Sequence, residues 1–265
     1  MTIAITGSTS NLGLYLVKYF KTKRKKVIEI NRKQNNFDLR NIKTYDFKND
    51  KVKVLIHLAH SYNKNGYNIN FQGSKKLFLN ARKNNINKII FISSISAHKK
   101  ALSQYGKTKF RIENFCLKND IIIIRPGLIF GYKIDKKLNL MKNILKYLPI
   151  IPYFRNSKKF LYSVHMDELV KNIYKIAISK KKIGNYNIFS DKKIYFEDLI
   201  NTVSVNKIKL NFPYIFWYFI FISISKIIYF KSVDSFLGIL GNRVNYNNNK
   251  EKNIFTKMNL LKKKF

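Results

Sequence analysis

The sequence predicts an α/β protein whose core is a doubly wound parallel sheet. Over about the first 131 of its 265 residues, short runs rich in isoleucine and valine alternate with segments of helical periodicity. The apolar run Thr2–Thr6 stops at Gly7, and Leu12, Leu16 and Phe20 follow at intervals of four. This spacing places the three side chains on one face of a helix. Because strands that alternate with helices form βαβ units, the strands are expected to be parallel and covered on both faces.

The alternation weakens beyond residue 131, which divides the chain in two. Residues 1–131 are expected to form the main sheet. Residues 132–265 are expected to form mostly a smaller, mainly helical lobe with a basic tail, apart from one strand that returns to the sheet. The predicted strands are Thr2–Thr6, Val27–Ile30, Val54–Leu58, Lys88–Ile92, Ile121–Ile124 and the returning Tyr186–Phe189. The helices predicted after the first are Asn70–Lys83, a segment around Tyr105–Glu113, Lys136–Leu148, Asp167–Ile178 and Phe196–Val203.

Composition and charge narrow the classes of protein. A chain with 46% hydrophobic residues can bury a core, and a single cysteine, Cys116, fits a reducing compartment. The start of the chain runs straight into a strand, so no signal peptide and a cytoplasmic location are expected. The net charge is +38, but lysines are spread along the whole chain. This favours a solvated basic surface and no nucleic-acid partner, although anionic phosphates or an anionic membrane surface would be attracted.

One apolar run, Phe212–Ile224, has lysines close to both ends. It is shorter than the roughly 20 apolar residues of a membrane-spanning helix. We interpret it as a helix buried in the protein or against a partner. Peripheral contact with a membrane is the alternative, because the run is rich in aromatic residues and flanked by lysines.

The segment Thr6-Gly7-Ser8-Thr9-Ser10-Asn11-Leu12-Gly13 lies where the first strand passes into the first helix. At such junctions a dinucleotide pyrophosphate binds the helix N-terminus, and glycines let the backbone approach it. Gly7 would allow the tight turn and Gly13 close packing of helix on sheet, whereas Ser10 stands where a glycine is usual. We predict a dinucleotide-binding loop of the Rossmann type in residues 1–131. An ordinary strand-to-helix turn is the alternative.

The end of the second predicted strand bears on the choice of cofactor. An acidic residue there binds the ribose hydroxyls of NAD, whereas a basic residue favours the 2′-phosphate of NADP. The run is Glu29-Ile30-Asn31-Arg32, so Arg32 tilts the prediction slightly towards NADP, with NAD left open. Asp38-Leu39 would place a carboxylate near the adenine amine, or would be part of a plain loop.

Tyr105 and Lys109 are the strongest chemical signal. Four residues apart in a predicted helix, their side chains lie on one face. A phenol titrates near 10, and a neighbouring ammonium lowers the pKa of the phenol because it stabilises the phenolate. The spacing is common by chance in a chain so rich in both residue types. Its position, after a strand that ends in serines, makes the pair a candidate active site.

The serines that end the predicted strand Lys88–Ile92 are candidates for binding substrate. Ser93, Ser94 and Ser96 lie at the carboxyl edge of the sheet, where open α/β sheets bind ligands. We predict Ser96 as the partner of Tyr105, hydrogen-bonded to a substrate carbonyl or alkoxide, with Ser94 as the second choice. The alternative is that these serines only satisfy backbone groups. No metal site is predicted, because the four histidines lack zinc-ligand spacing.

Seven short segments carry a resemblance to a known family. They are Thr6–Gly13, His57–His60, Asn70–Ser74, Phe91–Ser96, Tyr105–Lys109 with Glu113, Arg125–Gly131 and Ser163–Leu169. Each is weak alone, but their order is hard to obtain by chance and they cover most of the chain. Together they resemble the extended short-chain dehydrogenase/reductases, the NAD-dependent epimerase/dehydratase family.

The resemblance implies that Tyr105 is the acid/base, that Lys109 binds the nicotinamide ribose and that Ser96 orients the substrate. It also implies a cofactor lined by Leu58 and Ala59. The predicted cofactor-binding residues are, in full, Thr6, Gly7, Ser10, Asn11, Leu12, Gly13, Arg32, Asp38, Leu39, Leu58, Ala59, His60, Asn70, Lys109, Pro126 and Leu128. The predicted substrate-binding residues are Ser94, Ser96 and Arg155.

Within that family the second half is most similar to nucleotide-sugar 4-epimerases and 4-keto-reductases of bacterial surface-polysaccharide pathways. The similar segments are Asn139–Leu148, Arg155–Tyr162 and Leu237–Leu240. The resemblance implies an NAD- or NADP-dependent oxidoreductase or isomerase acting on a nucleotide-linked sugar, and it allows a homodimer. Two alternatives stay open: a non-catalytic dinucleotide-binding scaffold, suggested by Ser10, and an enzyme that acts on a lipid-linked sugar at the membrane.

Overall fold

The computed structural model describes residues 1–41, 45–48, 51–62, 65–131, 150–153, 160–181, 183–191, 193–195, 208–211 and 251–256. The strands are β1 Thr2–Thr6, β2 Lys26–Ile30, β3 Val52–His57, β4 Lys88–Ile92, β5 Ile122–Pro126, β6 Leu128–Phe130, β7 Ile150–Tyr153, β8 Phe160–His165, β9 Asn185–Ser190, β10 Lys193–Tyr195, β11 Ile208–Asn211 and β12 Glu251–Thr256. The helices are α1 Asn11–Thr22, α2 Arg32–Asn35, α3 Gly66–Lys83, α4 Gln104–Leu117 and α5 Met166–Ile178.

The main sheet has seven strands in the order β12-β9-β5-β4-β3-β1-β2. Every neighbouring pair is parallel. The chain passes from β1 to β2 on one side and then to β3 on the other side of β1, so the strand order reverses at β1. Ligands of open α/β sheets bind at such a switch point, outside the carboxyl ends of the strands. The predicted doubly wound parallel sheet is confirmed.

Two hydrophobic cores lie on opposite faces of this sheet, and alternate residues of β1 show why. Ile3 and Ile5 point to the face covered by α1 and α5, where they join Leu16 and Ile173. Ala4 points to the other face, which is covered by α3 and α4. Since a buried parallel strand is apolar on both faces, its sequence is a continuous apolar run.

Two smaller sheets follow the main one. One has the order β10-β8-β6 and the other pairs β11 with β7. The strand β9, which contains the predicted strand Tyr186–Phe189, pairs with β5 in the main sheet. The division into domains at residue 131 stays a prediction. Several predictions fall outside the described residues: the helices Lys136–Leu148 and Phe196–Val203, the apolar run Phe212–Ile224 and the substrate contact of Arg155. Among the residues that are described, no helix is long and apolar enough to cross a membrane.

A buried lysine joins the sheet to α5. Lys88 begins β4, and its ammonium donates hydrogen bonds to the backbone oxygens of Ile176 at 2.5 Å and Ser179 at 2.7 Å. These carbonyls belong to the C-terminal end of α5, where intrahelical donors run out and a cation is favoured. Burial lowers the pKa of Lys88. The lysine therefore caps a helix from a strand that reads as apolar in sequence.

Candidate active site

A cleft of about 570 Å³ opens at the switch point of the main sheet. That volume is within the range of sites for small molecules and cofactors. Its walls come from the loops that follow β1, β2 and β3. The lining residues are Gly7, Thr9, Ser10, Asn31, Arg32, Lys33, Phe37, Asp38, Leu39, Leu58, Ala59, His60, Ser61 and Tyr62.

Glycines let the backbone close tightly around the loop after β1. Gly7 has a φ of +68°, which favours glycine, and a Cβ there would lie 2.9 Å from the backbone nitrogen of Ala59. A Cβ at Gly13 would collide with the carbonyl oxygen of Gly7. Both positions therefore need glycine for steric reasons, as the loop motif predicts.

Ser10 fits the loop without strain. Its φ of −72° and ψ of 160° are ordinary for any residue, and its hydroxyl accepts a hydrogen bond from the Gly13 backbone nitrogen at 3.1 Å. Ser10 is thus the N-cap of α1, and the amides of Asn11 and Leu12 belong to the first turn, whose N–H groups have no partner within a helix. Such a helix N-terminus binds anions such as a pyrophosphate. Ser10 is therefore compatible with anion binding by this loop.

Asn31, directly after β2, organises the far end of the cleft. Its side-chain oxygen accepts hydrogen bonds from the backbone nitrogens of Lys33 and Gln34, both at 2.9 Å. Its amide nitrogen donates to Ser8 Oγ at 2.9 Å and so ties this turn to the loop after β1. The sequence did not single out Asn31, although it occupies the position where an acidic residue would bind ribose hydroxyls.

The carboxylate of Asp38 forms ion pairs with two arginines. Arg40 donates to both of its carboxylate oxygens, at 3.1 and 2.7 Å, and Arg32 Nε lies 3.6 Å away. The hydrogen bonds from Arg40 lower the pKa of Asp38 to about 2. The side chain of Arg32 is 67% exposed at the cleft edge.

Tyr105 and Lys109 lie on one face of α4, one helical turn apart. The Lys109 ammonium is 5.6 Å from the centroid of the Tyr105 ring and donates a hydrogen bond to the backbone oxygen of Ile92 at 2.8 Å. Lys109 is buried, and desolvation lowers its pKa to about 7 against the opposing effect of the Glu113 carboxylate. Its bond to Ile92 joins α4 to the strand end that carries the serines.

Ser94 and Ser96 form a hydrogen-bonded pair at that strand end. Their hydroxyl oxygens are 2.8 Å apart, and the Ser96 backbone nitrogen donates to Ser94 Oγ at 3.2 Å. Ser96 is buried, whereas Ser94 is partly exposed. Gly106 follows Tyr105, and a Cβ there would collide with the carbonyl oxygen of Ser96. The absence of a side chain at Gly106 therefore brings the start of α4 against the serines.

His57 is a fully buried link between β1, β3 and α3. Thr6 Oγ1 lies 2.7 Å from His57 Nδ1, and Ser74 Oγ lies 2.9 Å from Nε2. Thr6 Oγ1 accepts from the backbone nitrogens of Leu58 and Ala59, so its own proton points to Nδ1 and the ring proton is on Nε2. Desolvation, with a smaller contribution from the Lys109 charge, lowers the pKa of His57 to about 3.

This histidine makes stability fall in mild acid. An unfolded histidine titrates near 6.5, so between pH 6.5 and 3 the unfolded chain binds a proton that the folded chain does not. Stability attributable to His57 is complete above pH 6.5 and falls by up to about 1.4 kcal/mol per pH unit below it. We expect His57→Gln to be less stable at pH 7 but to lose less stability between pH 7 and 5, measured by urea unfolding. Equal losses in both proteins would contradict this account of His57.

Half of the sixteen predicted cofactor residues line the cleft, and some of the others have partners within the protein. Gly7, Ser10, Arg32, Asp38, Leu39, Leu58, Ala59 and His60 line the cleft. Thr6, Leu12 and Gly13 are buried behind it, and Pro126 is buried at the end of β5. Asn70 accepts from the Ser61 backbone nitrogen at 2.6 Å and donates to the backbone oxygens of Ser61 and Gly66. Those bonds hold the loop between β3 and α3.

The fold and the glycine loop at its switch point define a dinucleotide-binding α/β protein. The model of the NAD dependent epimerase/dehydratase family matches residues 3–188. Since that is well over half of the sequence, the chain belongs to this family and is an enzyme that depends on a nicotinamide dinucleotide. The family resemblance that the seven segments carry is confirmed. Because the family consists of enzymes, we drop the alternative hypothesis of a non-catalytic scaffold. No curated protein matches the chain.

Solved structures of similar fold include several sugar-nucleotide enzymes. A UDP-N-acetylglucosamine 4-epimerase from Bacillus cereus is 18% identical, with a TM-score of 0.62 over 80% of this chain and 85% of that one. A dTDP-4-dehydrorhamnose reductase from Clostridium acetobutylicum is 21% identical, with a TM-score of 0.64 over 80% and 86%. A UDP-glucose 4-epimerase from Thermus thermophilus in complex with NAD is 14% identical, with a TM-score of 0.64 over 80% and 86%. At these identities the likeness concerns the fold.

Proposed function

We propose that this enzyme reduces a 4-keto group of a nucleotide-linked sugar or inverts the configuration at that carbon. The observation that carries the proposal is the Tyr105/Lys109 pair beside the Ser94/Ser96 pair, in a family of NAD-dependent epimerases and dehydratases. The three solved neighbours described above are named for nucleotide-sugar substrates, which supports this class of substrate. The contact of Arg155 with the sugar nucleotide stays a prediction.

The cleft fits a nicotinamide dinucleotide. Gly7 leaves room where any side chain would collide, and the first turn of α1 offers amides to a pyrophosphate. Leu58 and Ala59 would line the dinucleotide, and Asn31 and Arg32 would lie at its adenosine end. A nicotinamide held in this cleft would supply the hydride for reduction of the substrate carbon or accept it for oxidation.

Residues of α4 and of the loop after β4 would transfer the proton. For reduction, the Tyr105 phenol gives its proton to the substrate oxygen as the carbonyl becomes an alcohol, and for oxidation the phenolate takes that proton back. The Lys109 ammonium, 5.6 Å from the centroid of the Tyr105 ring, would stabilise the phenolate relative to the phenol. If Ser96 donates to Ser94, the proton of Ser94 is left for the substrate oxygen. Because Ser94 is the more exposed of the two, we place Ser94 against the substrate and Ser96 behind it, which reverses the order that the sequence favoured.

The test uses purified protein, UDP-N-acetylglucosamine and UDP-glucose for epimerisation, and a dTDP-4-keto sugar with NADH or NADPH for reduction. Appearance of a 4-epimer without net cofactor change defines an epimerase, and net oxidation of the reduced cofactor defines a reductase. We expect Tyr105→Phe to lower turnover by about 10²- to 10⁴-fold, with unchanged unfolding by urea. Full turnover by this variant would refute the assignment of Tyr105 as the acid/base.

We further propose a preference for NADP over NAD. No carboxylate stands at Asn31, and Arg32 and Lys33 line the cleft there. We expect Arg32→Ala to raise the KM for NADP(H) by about 10-fold, since hydrogen bonds to charged groups contribute about 1.5–3 kcal/mol, and to leave the KM for NAD(H) unchanged. Arg40→Ala is the matched control, because Arg40 pairs with the same Asp38 but does not line the cleft. An equal effect of both variants on both cofactors would contradict the preference.

The setting of the reaction also stays a proposal. A role in surface-polysaccharide synthesis and a homodimer rest on the sequence resemblance. A cytoplasmic location rests on the single cysteine, and peripheral contact with a membrane rests on the apolar run Phe212–Ile224 and on the net charge.

A further inference from the structure

Two aromatic side chains pack against Tyr105. His60 meets the Tyr105 ring edge-to-face, with centroids 4.9 Å apart and an angle of 72°. His60 meets Tyr62 in the same manner, at 4.8 Å and 69°. Tyr62 is parallel to Tyr105, at 6.2 Å and 6°. These separations are typical of interacting aromatic pairs, so the three rings form one cluster, which we call the aromatic trio.

The loop that carries His60 and Tyr62 is fixed to α3. Asn70 is 1% exposed and bonds both the backbone nitrogen and the backbone oxygen of Ser61, which lies between the two aromatic residues. The side-chain nitrogen of Asn70 also lies 3.4 Å from His60 Nε2. His60 and Tyr62 therefore have a rigid base, which is what a side chain needs in order to position another.

We propose that His60 and Tyr62 are positioning residues that hold the phenol ring of Tyr105 in its reactive orientation by ring packing. The inference rests on the proposed function, in which Tyr105 moves the proton. Tyr105 is the second residue of α4 and is partly exposed. Its hydroxyl lies at the far end of the ring, so a small rotation of the side chain displaces the reactive oxygen. Proton transfer needs hydrogen-bond reach, and a misplacement of about 1 Å can cost about 10²-fold in rate.

If ring packing is what matters, variants at position 60 should differ in kcat in a specific order. Phenylalanine keeps an aromatic ring against Tyr105 but cannot titrate or accept a hydrogen bond, whereas alanine removes the ring. We expect His60→Ala to lower kcat by about 10- to 100-fold with a smaller change in the KM for the cofactor, whose cleft His60 also lines. His60→Phe should restore most of kcat. A residue needed only for folding would not give this split between kcat and KM.

Tyr62→Ala is the second variant, because Tyr62 is 43% exposed and its loss should leave folding intact. It should lower kcat in the same direction, and Tyr62→Phe should not. The assay is the full-length protein with the sugar nucleotide turned over by the wild type. Crystal structures of His60→Ala and Tyr62→Ala test the same point without substrate, and each should show the Tyr105 ring turned from its wild-type orientation.

Three results would overturn the inference: His60→Phe as slow as His60→Ala, both alanine variants with wild-type kcat, or an unmoved Tyr105 ring in both crystal structures. Failure of the proposed function looks different. In that case Tyr105→Phe itself would keep full turnover, whereas loss of turnover in Tyr105→Phe with wild-type kcat in the alanine variants would refute only the positioning role.

Discussion

Replacing Lys109 with methionine is expected to raise the stability of the free protein while removing its activity. Burial lowers the pKa of Lys109 from 10.5 to about 7. Between pH 10.5 and 7 the unfolded chain binds a proton that the folded chain does not, so the folded state is destabilised as the pH falls through this range. At about 1.4 kcal/mol per pKa unit the upper bound at pH 7 is roughly 5 kcal/mol. Methionine avoids this cost and fills a similar space.

Two contacts of Lys109 reduce the gain. The ammonium donates to the Ile92 backbone oxygen and lies 4.6 Å from the centroid of the Phe91 ring. A hydrogen bond to a charged group contributes about 1.5–3 kcal/mol, so a net gain of about 1–3 kcal/mol is expected at pH 7. The gain should shrink as the pH rises towards 10.5, the pKa of the lysine in the unfolded chain, because the unfolded chain then loses its proton as well.

Turnover of Lys109→Met should fall by about 10²- to 10⁴-fold, the range for loss of acid–base catalysis, because no cation then stabilises the Tyr105 phenolate. Urea unfolding at pH 7 and 10 and the turnover assay at pH 7 measure the two effects. Lys107→Met, at an exposed position of the same helix, is the matched control and should change neither. A Lys109→Met protein that is less stable at pH 7, or that keeps wild-type turnover, would contradict this role for Lys109.

Much of the fold could be predicted because each element is encoded locally. The run Thr2–Thr6 and the four-residue spacing of Leu12, Leu16 and Phe20 are enough to define β1 and α1. The reversal of strand order at β1 depends instead on pairing between β1 and β3, which are distant in sequence, and no local pattern specifies it. Lys88 shows the same limit: its role as a cap of α5 arises only when the sheet and that helix are packed together.

Site residues whose role depends on local sterics or on sequence spacing could be predicted. Residues whose role depends on hydrogen bonds between distant segments could not. Gly7 could be found because only glycine suits its backbone. Asn31 was passed over in favour of Arg32, since its bond to Ser8 joins two separate loops. The resemblance placed Asn70 at the cofactor, whereas its three short hydrogen bonds go to backbone of the neighbouring loop. None of the sequence motifs indicated that Tyr62 would contact the rings of His60 and Tyr105.

Breaking the buried ion pair between Glu113 of α4 and Arg125 of β5 should lower the free energy of unfolding more than any other substitution proposed above. Arg125 donates to both carboxylate oxygens of Glu113, at 2.8 and 2.7 Å, and the side chains are 12% and 1% exposed. Removing one partner leaves the other charge buried, which costs about 3–5 kcal/mol. We expect this loss for Glu113→Leu in urea unfolding at pH 7. The double variant Glu113→Leu, Arg125→Met should recover most of it, because both charges are then absent. A double variant no more stable than the single one would contradict this explanation.

The same double variant tests how Glu113 acts on the catalytic pair. Glu113 follows Lys109 by one helical turn, and its carboxylate raises the pKa of the lysine against the effect of burial. Without that carboxylate the pKa of Lys109 falls further, so the ammonium that stabilises the Tyr105 phenolate is lost at lower pH. In the pH profile of kcat/KM, which reports groups of the free enzyme, the alkaline decline should therefore move to lower pH in the double variant. An alkaline decline that stays in place would mean that Lys109 does not act as the cation in the rate-limiting step.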